Sequence, residues 1–365
     1  MLNLSCIISI ASSATQAWNE VKVRVRFLSV ITALILLLLT SIAPLACQRS
    51  GSAGSVVIYT SVDQPFSEPI LKKFEEETGI RVLEVYDVEA AKTTGLVNRL
   101  IAEKDRPLAD VWWSGEFAQT IMLQEEDVLA SYNSPSAADI PAPYRDAEGY
   151  WTGFAGRARI LLVNTDMVSP ADYPESIFDL LDSNWPADKI GIAHPLFGTT
   201  ATHAAALYAV LGQEEGKAFF QDLHDRGVKV LDGNSVVRDQ VADGRLMMGL
   251  TDTDDACGAL RNGAPVTIIF PDQDEMGTLV IPNTVSLIAG APHPEEAKAL
   301  IDFLLSREVE EMSIESGWSH IALRPVGVQP EYIETADVKG MNVNLMEVFQ
   351  QFELSAQELR DIFVQ

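Results

Sequence analysis

The side chains best able to do chemistry in this sequence are scattered carboxylates, hydroxyls and one arginine. Asp63, Glu116, Asp252 and Asp254 offer hard oxygen ligands, able to hold a metal ion or to face an ammonium group. Arg157 presents a planar fork that grips a phosphate or carboxylate through two parallel hydrogen bonds. Gly198, Thr199 and Thr200 open a predicted helix, where unpaired N–H groups and two hydroxyls make an anion site. Ser61, Asn234, Thr251 and Thr253 add neutral hydrogen-bonding groups suited to a hydroxyl-bearing or ammonium-bearing organic ligand. The acidic and basic groups together fit a metal ion with an accompanying anion, or a zwitterion. Each position also has a plainer use. Asp63, Thr199 and Asn234 can cap helices, Glu116 can sit at a helix N-terminus for its charge alone, and the acids at 252–255 can be a solvated helix start. His194, His203, His224, His293 and His320 form no HExxH, and no GxSxG, P-loop or GxGxxG pattern occurs.

The elements that must carry these residues alternate between strand and helix. Residues 56–60 form a continuous apolar run, the pattern of a strand covered on both faces. Phe66, Ile70, Leu71 and Phe74 share one helical face, and Gly79 stops that helix. Strands are expected at 80–86 and 109–113, with a helix over 93–104 between them. This β-α-β-α-β order predicts a largely parallel sheet covered by helices. The loops at 61–65 and 114–116 then lie beyond strand ends and face one crevice. A second α/β set follows, with strands expected at 160–164, 190–193, 247–250, 266–270 and 284–289. Its helices are expected at 200–211, 214–226, 235–243 and 294–305.

At 365 residues the chain exceeds what one core usually supports, which predicts two domains. Lys and Arg number 26 against 52 Asp and Glu, a net charge of −26, which disfavours a nucleic-acid partner. Lys22, Arg24 and Arg26 precede twenty uncharged residues, 27–46, as in an export signal. That run ends Pro44-Leu45-Ala46-Cys47, which resembles a bacterial lipoprotein signal with Cys47 as the lipidated residue. A cleaved signal and a retained anchor helix are the alternatives. Residues 47–55 read as a flexible tether. Loss of 1–46 takes three basic residues and Glu20 with it and leaves a more acidic body, at −28. With Cys47 lipidated, Cys257 has no cysteine left to pair with.

The motif order resembles the solute-binding proteins of ABC importers, in particular the ferric-ion-binding periplasmic group. The resemblance is carried by Val56-Val57-Ile58-Tyr59-Thr60-Ser61, Phe74-Glu75-Glu76-Glu77-Thr78-Gly79-Ile80, Ala109-Asp110-Val111-Trp112-Trp113-Ser114, Gly156-Arg157-Ala158-Arg159 and the run from Pro292 to Val309. It implies an α/β, two-lobe, type II periplasmic-binding-protein fold with parallel-rich sheets, flanking helices and a hinge. The implied lobes are 56–157 with 284–325, and 158–283 with 326–365. It further implies a binding role rather than catalysis: an extracytoplasmic, membrane-tethered monomer passing its solute to an ABC permease, with no cofactor of its own. Fe(III) with a synergistic anion is the first expected cargo, with Glu116 and Asp254 as metal ligands. The remaining ligand set is Ser61, Asp63, Arg157, Gly198, Thr199, Thr200, Asn234, Thr251, Asp252 and Thr253. One departure stands out. Where the ferric relatives carry adjacent tyrosines, this chain has Thr253 and Asp254. An organic anion, phosphorylated or phosphonate, is therefore the alternative cargo, and a metal-dependent extracytoplasmic hydrolase is the alternative from another class.

Overall fold

The computed structural model describes residues 54–86, 94–335 and 337–364. The expected leader and tether, Cys47 included, lie outside the described residues apart from 54 and 55. The first half contains β1 (Ser55–Thr60), α1 (Gln64–Thr78), β2 (Arg81–Tyr86), α2 (Thr94–Ala102), β3 (Val111–Ser114), α3 (Ala118–Glu125) and β4 (Leu129–Ala130). After the long β5 (Thr152–Asn164) come β6 (Ile190–Ala193), α4 (Gly198–Leu211), α5 (Gln213–Arg226), β7 (Lys229–Leu231), α6 (Asn234–Ala242), β8 (Met248–Asp252), α7 (Thr253–Arg261) and β9 (Val266–Ile269). β10 (Val280–Ile288), α8 (Pro294–Leu304), α9 (Arg307–Glu315) and α10 (Leu345–Phe363) complete the order.

Sequence pattern explains the first layer. Val56 and Ile58 enter one apolar cluster while Val57 and Tyr59 face another, because side chains alternate across a strand. β1 pairs in parallel with both β2 and β3. α1 buries Ile70, Leu71 and Phe74, and it ends at Gly79 with φ 72°, a left-handed conformation that costs glycine little. In the second half β6 pairs in parallel with β7 and β8.

Two strands join the halves. β5 pairs with β10 over Thr152–Ala158 and with β8 over Arg159–Val163. β10 pairs onward with β3. The resulting order, β2-β1-β3-β10-β5-β8-β6-β7, is a single path, so every load passed between the halves through the sheet crosses β5 and β10. Both strands are longer than the apolar runs at 160–164 and 284–289 predict. β5 starts at Thr152 and β10 at Val280. Their extra residues pair with each other in the middle of the sheet, where small residues such as Gly153 and Gly156 permit close approach. A Cβ on Gly156 would lie 3.1 Å from the Ile281 carbonyl oxygen. The pairing slips by one residue between Pro282 and Asn283, opposite Ala155, whose φ is +36°. An L-residue held at positive φ is strained, and such strain persists only where its surroundings over-determine it.

Those surroundings include a buried ion pair. Glu310, on α9, is fully buried. Its carboxylate accepts from the backbone N–H of Ala155 at 3.1 Å and of Leu323 at 2.6 Å, and from Arg324 Nε at 2.7 Å. Arg324 also donates to the Ser136 carbonyl and to Asp139 Oδ1. Glu310→Ala leaves Arg324 and two backbone donors without their acceptor. The expected loss is about 3–5 kcal/mol of unfolding free energy, read as a fall in the urea midpoint; a change under ~1 kcal/mol would show that the pair does not hold Ala155.

Candidate ligand-binding site

A cleft of about 490 Å³ opens beside the strand crossing. Ser61, Asp63, Gly115, Glu116 and Gln119 come to it from the first half, at the ends of β1 and β3 and the start of α3. Gly198, Thr199, Ala201 and Thr202 come from the start of α4. Arg157 and Asn283 rise from the two crossing strands. The expectation that the loops after the first and third strands share one crevice matches this lining.

Arg157 and Arg159 are two residues apart on β5, and so share a face, yet their surroundings differ completely. The Arg159 side chain is fully buried. Nη1 donates to Asp252 Oδ1 at 2.7 Å, Thr199 Oγ1 at 3.0 Å and Asn234 Oδ1 at 3.1 Å, and Nη2 donates to Thr200 Oγ1 at 3.2 Å. Asp252 Oδ2 in turn accepts from Thr199 Oγ1 at 2.6 Å and Asn234 Nδ2 at 2.9 Å. Charge and hydrogen-bonding capacity are thus largely spent inside the network.

Arg157 makes only two long contacts, 3.5 Å from Nη1 to Asp254 Oδ2 and 3.4 Å from Nη2 to the Gly115 carbonyl. Its Nε and Asp254 Oδ1 are buried without partners among the described residues. Its guanidinium therefore stands between the two halves, held loosely by each. Glu116 lies at the entrance of α3, where Arg157, the backbone of Ala118 and Gln119 and the Thr202 hydroxyl favour its charged form. Burial raises its carboxyl above the ordinary carboxylate range despite Arg157 and these donors. Burial likewise raises Asp254, with Arg157 opposing.

The residues expected to bind solute therefore divide. Ser61, Asp63, Glu116, Arg157, Gly198 and Thr199 line the cleft. Thr200, Asn234, Thr251, Asp252, Thr253 and Asp254 do not appear in its wall. The physical reason is that most are used in the fold. Thr200, Asn234 and Asp252 serve Arg159; Thr251 Oγ1 donates to the Asn234 carbonyl at 3.2 Å, and Thr253 Oγ1 accepts from the Ala158 N–H at 3.2 Å. Asp254 reaches the cleft only through Arg157.

Among the described residues one group of three or more possible metal-ligating side chains is close-packed: Asp252, Asp254 and Asp255, with one ligand atom each within 4.8 Å. All three already face arginines, Asp252 at Arg159, Asp255 at Arg238 at 3.0 Å and Asp254 at Arg157 at 3.5 Å. Tyr59, Tyr86 and Tyr208 donate to Glu103, Glu84 and Glu358, and among the described residues no Tyr, His or Cys lines the cleft.

The sequence reading missed Gln119, Asn283, Trp318, Ser319, Phe349 and Phe352 in the wall. Asn283 carried a signal: it is a polar residue after a proline inside an apolar strand, where bulges occur. Phe349 and Phe352 sit on α10, whose apolar spacing reads as an ordinary packed helix.

The sequence pattern of the family described as bacterial extracellular solute-binding protein matches residues 107–341. The chain belongs to this family. The solute-binding protein is 24% identical over 313 residues to "Iron uptake protein A1" of Synechocystis, covering 83% of this chain and 85% of the relative. It is 26% identical over 310 residues to the "Putative 2-aminoethylphosphonate-binding periplasmic protein" of Salmonella typhimurium, covering 82% and 88%. Its fold matches a Trichodesmium protein solved with iron and citrate at a TM-score of 0.77 and 20% identity, covering 86% and 100%. That match supports the two-lobe, mixed α/β architecture.

Asp255 supplies a pH test of the acidic cluster. Burial, then Asp254 and Asp252, push its carboxyl up to about 7 against Arg238 and Arg159. The folded protein then holds the proton more tightly than the unfolded chain, so stability falls as pH rises from near 4 to near 7. Asp255→Asn is expected to be about 1–2 kcal/mol more stable than wild type at pH 8, with the gain shrinking to nothing near pH 4. Denaturant titrations across that range check it; a constant difference at all pH values would refute it.

Proposed function

We propose that the protein is the extracytoplasmic receptor of an ABC importer, holding an organic solute between its lobes and handing it to a permease. The solute carries an anionic group and a cationic or donor end. The observation that carries this reading is the placement of Arg157. It stands on a crossing strand, loosely held at 3.4 and 3.5 Å, in a cleft that Asp63 and Glu116 also line. An anion can take Arg157 bidentately while the start of α4 offers N–H groups beside it. Carboxylates and an arginine share the wall, so a zwitterion, which carries both charges, matches it better than a purely anionic solute. The volume of the cleft suits a small organic molecule.

The lobes in this reading are 56–157 with 284–325 and 158–283 with 326–365, closing about β5 and β10. Cys47 supplies a lipid tether and the body acts as a monomer; the reaction is binding and release. Fe(III) with an accompanying anion is the second reading, favoured by the iron relatives and by Glu116 and Asp254 flanking Arg157. The wall offers it two carboxylates and, among the described residues, no phenol or imidazole, a thin donor set for Fe(III) among hard and borderline ligands.

Thermal unfolding with each candidate separates them, because a ligand that binds only the folded state stabilises it by mass action. 2-Aminoethylphosphonate at about 100 times its Kd should contribute about 2.7 kcal/mol, and Arg157→Ala should weaken its binding by about a hundredfold or more, in line with the loss of a bidentate charged contact. Protection by Fe(III) with carbonate, and none by the phosphonate, would replace the organic reading with the iron one.

A further inference from the structure

We propose that Asn283 is a specificity-determining residue of the cleft, its Oδ1 accepting a hydrogen bond from an ammonium or hydroxyl group of the bound solute. This rests on the reading of the cleft as the solute site. Asn283 lines the cleft floor and is 4% exposed. Its amide is oriented by its neighbours: Nδ2 donates to the Ala155 carbonyl and lies 3.4 Å from Ser319 Oγ. Turning the amide over would place two oxygens together, so the network assigns the outward atom as oxygen. That oxygen has no hydrogen-bond partner among the described residues. A buried acceptor left unmatched is costly, and such groups in folded proteins call for an explanation.

The oxygen is itself buried, and the neighbour it faces is small. Gly115 faces it without a side chain; a Cβ there would lie 3.9 Å from Asn283 Oδ1 and 3.9 Å from Val62 Cγ2. On the same floor, Arg157 Nε is a buried donor without an acceptor. An unmatched donor and an unmatched acceptor in one cleft specify a solute that brings both an anion and a hydrogen-bond donor.

The location gives the contact a further consequence. Asn283 follows the register slip in β10, and its Nδ2 holds Ala155, the strained residue of β5. One amide therefore touches both the solute space and the strand crossing.

The test compares 2-aminoethylphosphonate with propylphosphonate, in which a methyl replaces the ammonium, and with inorganic phosphate. Affinities are measured by calorimetry on the full soluble body in wild type, Asn283→Ala and Gly115→Ala. The methyl group that Gly115→Ala adds would lie at van der Waals distance from Oδ1 without a clash, and it leaves the Asn283–Ala155 bond intact. The expected result is that wild type prefers the amine over the methyl compound, and that each substitution reduces this preference about tenfold or more. Comparison across two ligands cancels any general loosening of the strand. Equal weakening of both ligands in both variants, an unchanged preference, or equal wild-type affinity for the two phosphonates would overturn the role of Asn283 while leaving the cleft reading in place. Failure of wild type to bind either phosphonate or phosphate would overturn the cleft reading and the Asn283 proposal together.

Discussion

The cleft depends on one buried ion pair, Arg159 with Asp252. Arg159 has no exposed side-chain surface, and a guanidinium can be buried only when a carboxylate and further acceptors replace its water. Asp252 supplies the charge, and Thr199, Thr200 and Asn234 supply the rest. These partners come from the end of β8 and the starts of α4 and α6. The pair therefore fixes three chain ends against β5, and one of them is the α4 N-terminus that forms a cleft wall. The net stabilisation from such a pair is small, because desolvation offsets most of the attraction. What it contributes is position: few other arrangements pair both terminal nitrogens of Arg159 with acceptors from three chain ends at once.

With Arg159 neutralised, the cleft inherits its chemistry from Arg157. The two arginines share a strand face and a side-chain type, so their difference lies in what faces them. Asp254 Oδ2 is 3.5 Å from Arg157, against 2.7 Å for the Arg159 pair. That contact is long for a charge-assisted hydrogen bond. Burial raises both Asp254 and Glu116, with Arg157 opposing the shift in each. Arg157 thus keeps hydrogen-bonding capacity for a solute anion while remaining attached to both halves, through the Gly115 carbonyl on one side and Asp254 on the other.

Much of the fold was legible because it follows from local pattern. The apolar run at 56–60, the helical face of Phe66 to Phe74 and the stop at Gly79 each have a physical cause contained in a few residues. The length of β5 was not legible in the same way. Residues 152–159 include two glycines, two alanines and two arginines, a poor strand by propensity, and they are extended because β10 pairs with them. The site divides along the same line. Types at helix starts and strand ends pointed to Glu116, Arg157 and Thr199. Which hydroxyls and carboxylates are free for a ligand depends on which arginine they meet, and Arg159 takes Asp252, Asn234 and Thr200 out of the wall. Tertiary competition for hydrogen bonds cannot be read from spacing.

Overall acidity says little about cargo, and the structure explains why. The chain carries −26, but exposed charges are screened over about a Debye length of 8–10 Å. Within the cleft the balance is set by a few buried groups whose ionisation burial itself has altered. Burial raises the carboxyls of Glu116 and Asp254, a cationic group entering the cleft would oppose that shift, and an anion would find its counter-charge at Arg157. A zwitterion does both within one molecule and adds no net charge to a low-dielectric space, which is the least costly way to fill it. The aromatic wall of Trp318, Phe349 and Phe352 lowers the local dielectric further and thereby strengthens both ends of that interaction. Closure of the lobes removes more water, so the selectivity of the site should be greatest in the closed state, where the unmatched atoms of Arg157 and Asn283 can tolerate only a solute that matches both.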